Sequence, residues 1–216
     1  MAFQGNRTEP RRPVPRLYLV APQAADPAGL AGALGAADIA AVLLRLPAHD
    51  DRGLINHVKA LAPIVQDKGA ALVLDGHPDI VARAGADGAQ LAGIAAFTVA
   101  LAALKPDRIA GCASLESRDD AMRAAEAGAD YVMFGEPDEA GHRPSFEAII
   151  ERISWWAEVF EIPCVGYAGT LAEVDALAAA GADFVAVGDC IFTDARGPAA
   201  AIGDAASRLA ASEPVE

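Results

Sequence analysis

A closed barrel of eight βα units is the fold this sequence predicts, and three observations predict it. Three near-identical tetrapeptides, Ala84-Gly85-Ala86-Asp87, Ala127-Gly128-Ala129-Asp130 and Ala180-Gly181-Ala182-Asp183, each join an Ala-rich helical stretch to an apolar β-type run. Eight such runs alternate with helical stretches along 216 residues. The chain is 53% hydrophobic but only 6% aromatic, as suits helices packed closely on parallel strands that are buried on both faces. At each junction Gly takes the left-handed φ that ends a helix, and Asp turns the chain into the next strand. A unit recurring in this way signals a repeated βα array. A fourth, weaker copy at Leu34-Gly35-Ala36-Ala37-Asp38 is expected to behave alike.

The elements follow in order. Residues 7–16 are basic and interleaved with Pro10, Pro13 and Pro15, without the apolar region of a signal peptide, so residues 1–15 read as a flexible tail. Residues 16–211 form the barrel and 212–216 a C-terminal tail. Strands are expected at 17–20, 39–45, 70–75, 88–91, 108–113, 131–135, 163–168 and 184–188. Leu54, Val58, Leu61 and Val65 make a helical stripe, which Pro63 is expected to kink or split. Thr170-Leu171-Ala172-Glu173 reads as a capping box, and Gly197-Pro198 places Pro in a first turn. Phe146, Ile149, Ile150, Ile153, Trp156 and Phe160 share one helix face, the core stripe. Trp155 falls opposite, where it either contacts a second copy in a homo-oligomer or is covered by a loop or the N-terminal tail. An open doubly wound sheet is disfavoured, because Val20-Ala21-Pro22 follows the first strand where a Gly-x-Gly-x-x-Gly turn would stand.

Composition bounds the function. A net charge of −13 without a basic stripe argues against nucleic acid. No apolar run reaches the ~20 residues of a membrane span. Cys112, Cys164 and Cys190 are odd in number and lie in apolar runs, which reads as buried thiols in a reducing cytoplasm.

A barrel of this kind places its site at the C-terminal ends of the strands. The residues arriving there are Arg45 after the second strand, Asp75 and His77 after the third, and Ser114 and Glu116 after the fifth. Glu136, Asp138, His142 and Arg143 follow the sixth, Tyr167, Gly169 and Thr170 the seventh, Gly188 and Asp189 the eighth. Lys59, Lys68 and Lys105 all fall in or beside helices, so Schiff-base chemistry is not expected. Asp75, Glu136 and Asp189 are hard-oxygen candidates for Mg²⁺, although strand-end acids more often cap loop amides. His77 and His142 are either acid–base groups or polar loop residues. Gly169-Thr170 and Gly188-Asp189 match the glycine amides that TIM barrels set against phosphate after strands seven and eight.

From Arg16-Leu17-Tyr18-Leu19-Val20 to Ile202 the layout resembles the thiamine-phosphate synthase family, which includes the thiazole tautomerases. The most specific pieces are Ala86-Asp87-Gly88-Ala89-Gln90-Leu91, Gly128-Ala129-Asp130-Tyr131-Val132-Met133-Phe134-Gly135 and Ala182-Asp183-Phe184-Val185-Ala186-Val187. The resemblance implies a single (βα)8 TIM barrel of the phosphate-binding type. It also implies a cytoplasmic transferase of thiamine biosynthesis, with Mg²⁺, that joins a pyrimidine diphosphate to a thiazole phosphate and expels pyrophosphate. Carried over by position, Arg45, Asp75 and Ser114 are the catalytic remnants, and Asp75 is also the candidate metal ligand. Arg143, Gly169, Thr170, Gly188 and Asp189 are the ligand- and phosphate-binding candidates.

The departures run in one direction. The family's Gln-x-Arg-x-Lys becomes Leu43-Leu44-Arg45-Leu46-Pro47, its Asn-Asp becomes Asp75-Gly76, and its second metal Asp falls in Gly93-Ile94-Ala95. Its Ser-Thr-His becomes Ala113-Ser114-Leu115, and its Thr- and Lys-bearing loop becomes Glu136-Pro137-Asp138-Glu139. The Gly-Gly after strand seven becomes Ala168-Gly169, and the Ile-Ser after strand eight becomes Gly188-Asp189. An Asp about 4 Å from a phosphate charge costs about 4 kcal/mol at an effective dielectric of about 20. The chain therefore resembles a degenerate member, and two readings stand. One is a synthase-type transferase with a reduced site. The other is a non-catalytic or repurposed barrel binding a small cationic or neutral ligand.

Overall fold

The computed structural model describes residues 14–47, 50–138 and 140–211. Nearly all of the expected tails, 1–15 and 212–216, lies outside the described residues, as does Glu139. Eight strands, β1 (Arg16–Ala21), β2 (Ile39–Leu44), β3 (Ala71–Asp75), β4 (Gly88–Ala92), β5 (Ile109–Ala113), β6 (Tyr131–Phe134), β7 (Cys164–Ala168) and β8 (Phe184–Val187), pair in parallel in chain order. β8 returns to β1, with Leu17 opposite Val185, and closes the barrel. The connecting helices are α1 (Pro27–Ala36), α2 (Asp51–Gln66), α3 (Val81–Ala84), α4 (Ile94–Leu104), α5 (Arg118–Glu126), α6 (Phe146–Val159) and α7 (Val174–Ala179). After β8 come two, the single turn α8 (Asp189–Phe192) and the longer α9 (Pro198–Ala211).

The three strong junctions act as one device. Gly85, Gly128 and Gly181 have φ of 77°, 99° and 96°, a region where a Cβ is strained. The Asp that follows each reaches sideways to an amide at the start of the neighbouring strand. Asp87 accepts from Leu72 N at 2.7 Å, Asp130 from Ala110 N at 2.7 Å, and Asp183 from Cys164 N at 2.8 Å. Each carboxylate thus satisfies a strand amide at the N-terminal rim. The fourth copy does not join this set. Gly35 lies inside α1, which ends on extended Ala37, and Asp38 pairs with Arg16 instead. α2 runs unbroken through Pro63, burying Leu54, Val58, Leu61 and Val65, so no split occurs there.

Side chains alternate along the strands. The outward set packs against the helices in one large core. The inward set, including Tyr18, Val73, Tyr131, Met133, Val165 and Tyr167, fills the barrel axis. Gly111 makes room for the largest of these, since a Cβ there would lie 2.2 Å from Tyr131 Cζ. On α6, Ile149, Ile153 and Trp156 are buried. Trp155 is not an outward tryptophan: it is half-buried, edge-on to Trp156 and Phe160, and the Arg118 guanidinium lies 4.7 Å above its ring. The arginine lies over its ring.

Candidate functional site

The C-terminal strand ends open into a cleft of about 720 Å³. Arg45 enters from the end of β2, its backbone N–H held by Ala21 O of β1 at 3.1 Å. Its Nε lies 3.8 Å from Asp75 Oδ2, and its Nη1 lies 4.0 Å from Asp189 Oδ1. Burial pushes the Asp75 carboxyl above its usual range, an effect the Arg45 charge opposes. Asp189 opens the short turn α8. Gly188 before it has φ −138° and ψ −106°, and a Cβ there would meet the Tyr167 hydroxyl at 2.9 Å.

On the opposite wall Ser114 leaves β5 with φ 53°. A non-glycine residue held there costs about 1–3 kcal/mol and persists only where its surroundings fix it. Glu136 does so: its Oε1 accepts from Ser114 N at 2.5 Å and lies 3.5 Å from Ser114 Oγ. Burial raises the Glu136 carboxyl, and the Ser114 bonds only partly oppose this. His142 Nδ1 stands 3.5 Å from Asp138 Oδ2 in an exposed loop, and Lys105 pairs with Asp130 at the other end of the barrel.

The structure brings Arg45, Asp75, Ser114 and Asp189 to one cleft. Arg143, Gly169 and Thr170 are deployed differently. Glu173 Oε2 accepts from Gly169 N at 2.8 Å and from Arg143 Nη1 at 3.0 Å, while Arg143 Nη2 donates to Tyr167 O at 3.2 Å. The expected capping box is therefore absent as such. Thr170 makes no side-chain cap, because Glu173 reaches past it to Gly169. Gly169 is required by this clasp, since a Cβ there would lie within 2.1 Å of Arg143 Nη1. The box that does form is Ser117 with Asp120, at the start of α5.

Among the described residues no three His, Cys, Asp or Glu side chains are grouped to hold a metal. Asp75 and Asp189 both approach the Arg45 guanidinium, which supplies a fixed positive charge to the two of them. Arg45 is also the cationic side chain among the described residues lining the cleft, against Asp75, Glu136, Asp138 and Asp189.

Sequence reasoning passed over Gln90. It stands in the middle of β4, 4% exposed, and lines the cleft. Its Oε1 accepts from Tyr131 Oη at 3.0 Å, and Tyr131 Oη lies 2.8 Å from Tyr18 Oη. The period-2 pattern Gly88, Gln90, Ala92 was the available signal, since it points a polar side chain inward.

Residues 17–191 match the family model described as Thiamine monophosphate synthase. The chain belongs to that family. It is 40% identical to a thiamine-phosphate synthase of Rhodospirillum centenum over 196 residues, covering 88% of this chain and 95% of that one. It is 34% identical to a thiamine-phosphate synthase of Hyphomonas neptunium, over 88% of this chain and 92% of that one. Among solved structures, a thiamine phosphate pyrophosphorylase from Pyrococcus furiosus superposes with a TM-score of 0.78 at 20% identity, covering 92% and 97% of the two chains. At that identity the likeness shows the shared barrel. Within the thiamine monophosphate synthase family, then, this member has a closed eight-stranded barrel and an acid-rich mouth.

Proposed function

We propose that this member of the family binds a small uncharged or cationic ligand in its barrel mouth, and that it expels pyrophosphate slowly or not at all. One observation carries the reading: Arg45 stands between Asp75 and Asp189. The family reaction joins a pyrimidine diphosphate to a thiazole phosphate, and negative charge grows on the departing pyrophosphate. Stabilising that charge needs cations fixed in advance. Here a guanidinium shared by two carboxylates meets it, with Glu136 opposite, and Arg143 and the Gly169 amide are held by Glu173. Arg45 could bind a single anionic group, whereas a diphosphate would bring its charges close to Asp189 and Asp75.

Synthase-type transfer is the second reading, favoured by the position of Arg45 at the mouth and by the name borne by relatives of up to 40% identity. Calorimetry with hydroxymethylpyrimidine diphosphate and Mg²⁺ separates the two. No binding at millimolar ligand supports the proposal, and a micromolar Kd would overturn it. Cytoplasmic placement belongs to the same proposal. Cys112 and Cys164 are buried in the core, and among the described residues no helix is long and apolar enough to cross a membrane.

A further inference from the structure

The inward side chains of a TIM barrel stack in layers in which bulky branched residues dominate. Near the N-terminal end of this barrel two neighbouring strands supply only methyl groups at one level, Ala41 of β2 standing in register with Ala71 of β3. A recess of about 250 Å³ opens there, walled by Tyr18, Val73, Ile109, Tyr131, Val165 and Phe184. Tyr18 and Tyr131 close it towards the mouth, their ring centroids 5.8 Å apart and their hydroxyls 2.8 Å apart. Ala71, Ile109 and Phe184 remain only partly buried although they pack with the inward set, so apolar surface faces water inside the recess.

The charges at its rim are paired. Arg16 stands 3.3 Å from Asp38, and Asp130 holds Lys105 at 2.6 Å and accepts from Ala110 N at 2.7 Å. Tyr131 spends its one hydroxyl proton on Gln90 Oε1 on the mouth side, so the bond between the phenols is donated by Tyr18. Neither phenol keeps a proton for a guest. A molecule entering the recess therefore meets apolar walls, aromatic rings and rim charges that cancel in pairs. A charged or strongly hydrogen-bonding guest would lose its hydration without replacement. A cavity of about 150 Å³ with apolar walls stays dry and binds benzene. This one is larger, and its aromatic walls offer edge-to-face or offset contact to a further ring. We propose that the N-terminal recess is a second binding site, which takes an uncharged aromatic molecule of one or two fused rings. The tyrosine pair separates it from the mouth, so the site stands whatever the mouth binds.

Indole and purine, alike in shape and different in polarity, are the probes. Each is titrated into the full chain and followed through the methyl signals of Val73, Ile109 and Val165. Indole is expected to move all three saturably and to bind at least about tenfold tighter than purine, whose ring nitrogens would lose water without a new partner. Ala71→Leu places a side chain in the recess and should abolish indole binding, with the thermal midpoint showing that the fold persists. Ala71→Val adds less bulk at the same place and should weaken indole by a smaller factor, which keeps the test decisive if the leucine variant does not fold. Equal affinity for the two probes, or indole affinity untouched by the substitutions, would overturn the proposal. So would shifts confined to Met133 at the mouth, or methyl signals that do not move because another part of the chain already fills the recess.

Discussion

At the N-terminal rim Asp87, Asp130 and Asp183 each close on a strand amide at 2.7–2.8 Å, and Asp130 also holds Lys105 at 2.6 Å. At the mouth Asp75 and Asp189 lie 3.8 and 4.0 Å from one shared guanidinium, and burial raises Glu136. The rim aspartates thus have short bonds to backbone amides, whereas Asp75 and Asp189 at the mouth have only long, shared contacts with one guanidinium. Rim acids hold strands in register. Asp75 and Asp189 at the mouth hold no strand amide in this way. Glu136, bonded to Ser114 N, and Glu173, bonded to Gly169 N and Arg143, are the instructive exceptions at the mouth.

Breaking the rim should therefore have the largest effect on stability. Asp130→Ala leaves Ala110 N without its acceptor and is expected to lower the unfolding free energy by about 1–3 kcal/mol in urea melts. Ligand binding at the mouth should stay unchanged below the transition. Glu173→Ala tests whether partnership or position decides. It should also destabilise, by about 1–2 kcal/mol, and in addition strengthen phosphate binding by freeing Gly169 N and Arg143. A neutral Glu173→Ala would dissolve the distinction between the two ends.

Asp189→Ser should change stability by no more than about 0.5 kcal/mol, as substitutions away from such fixed contacts do. It should tighten inorganic phosphate by tenfold or more, because it removes a repelling charge from beside Arg45. Unchanged affinity in calorimetry would mean that phosphate does not approach α8.

The smallest effect is one of pH. Burial raises the Glu136 pKa in the folded protein, so ionising it opposes folding. Its contribution is most favourable below the ordinary carboxylate value of about 4.3 and is lost as pH rises through the folded value. The stability of Glu136→Gln relative to wild type should therefore increase between acidic and neutral pH, whatever constant offset the altered Ser114 contact adds. An offset independent of pH, measured by urea melts across that interval, would show that Glu136 ionises without cost.

What the sequence made legible was the rim and the strands, because their signals are local. A Gly that needs positive φ, followed by an Asp, reads the same way at Gly85, Gly128 and Gly181, and failed at Gly35, where no left-handed residue is needed inside α1. Arg45, Asp75, Ser114 and Asp189 were legible as strand-end residues, and the cleft assembles them. Long-range pairings were not legible. Arg143 finds Glu173 thirty residues away, Arg118 covers Trp155 across a helix boundary, and Tyr131 meets Gln90 across the barrel axis. Each needs the closed barrel before the partner is near, so no local spacing announces it. Gln90 lay inside a stretch that carries the fold, where a polar residue is easily taken for part of the scaffold.

If the acids of the mouth have displaced pyrophosphate chemistry, steady-state turnover is where the loss is read. Purified protein supplied with hydroxymethylpyrimidine diphosphate, thiazole phosphate and Mg²⁺ is expected to form thiamine phosphate far below the ordinary enzyme range. A kcat of ~1 s⁻¹ or more would show that the mouth still supports pyrophosphate departure.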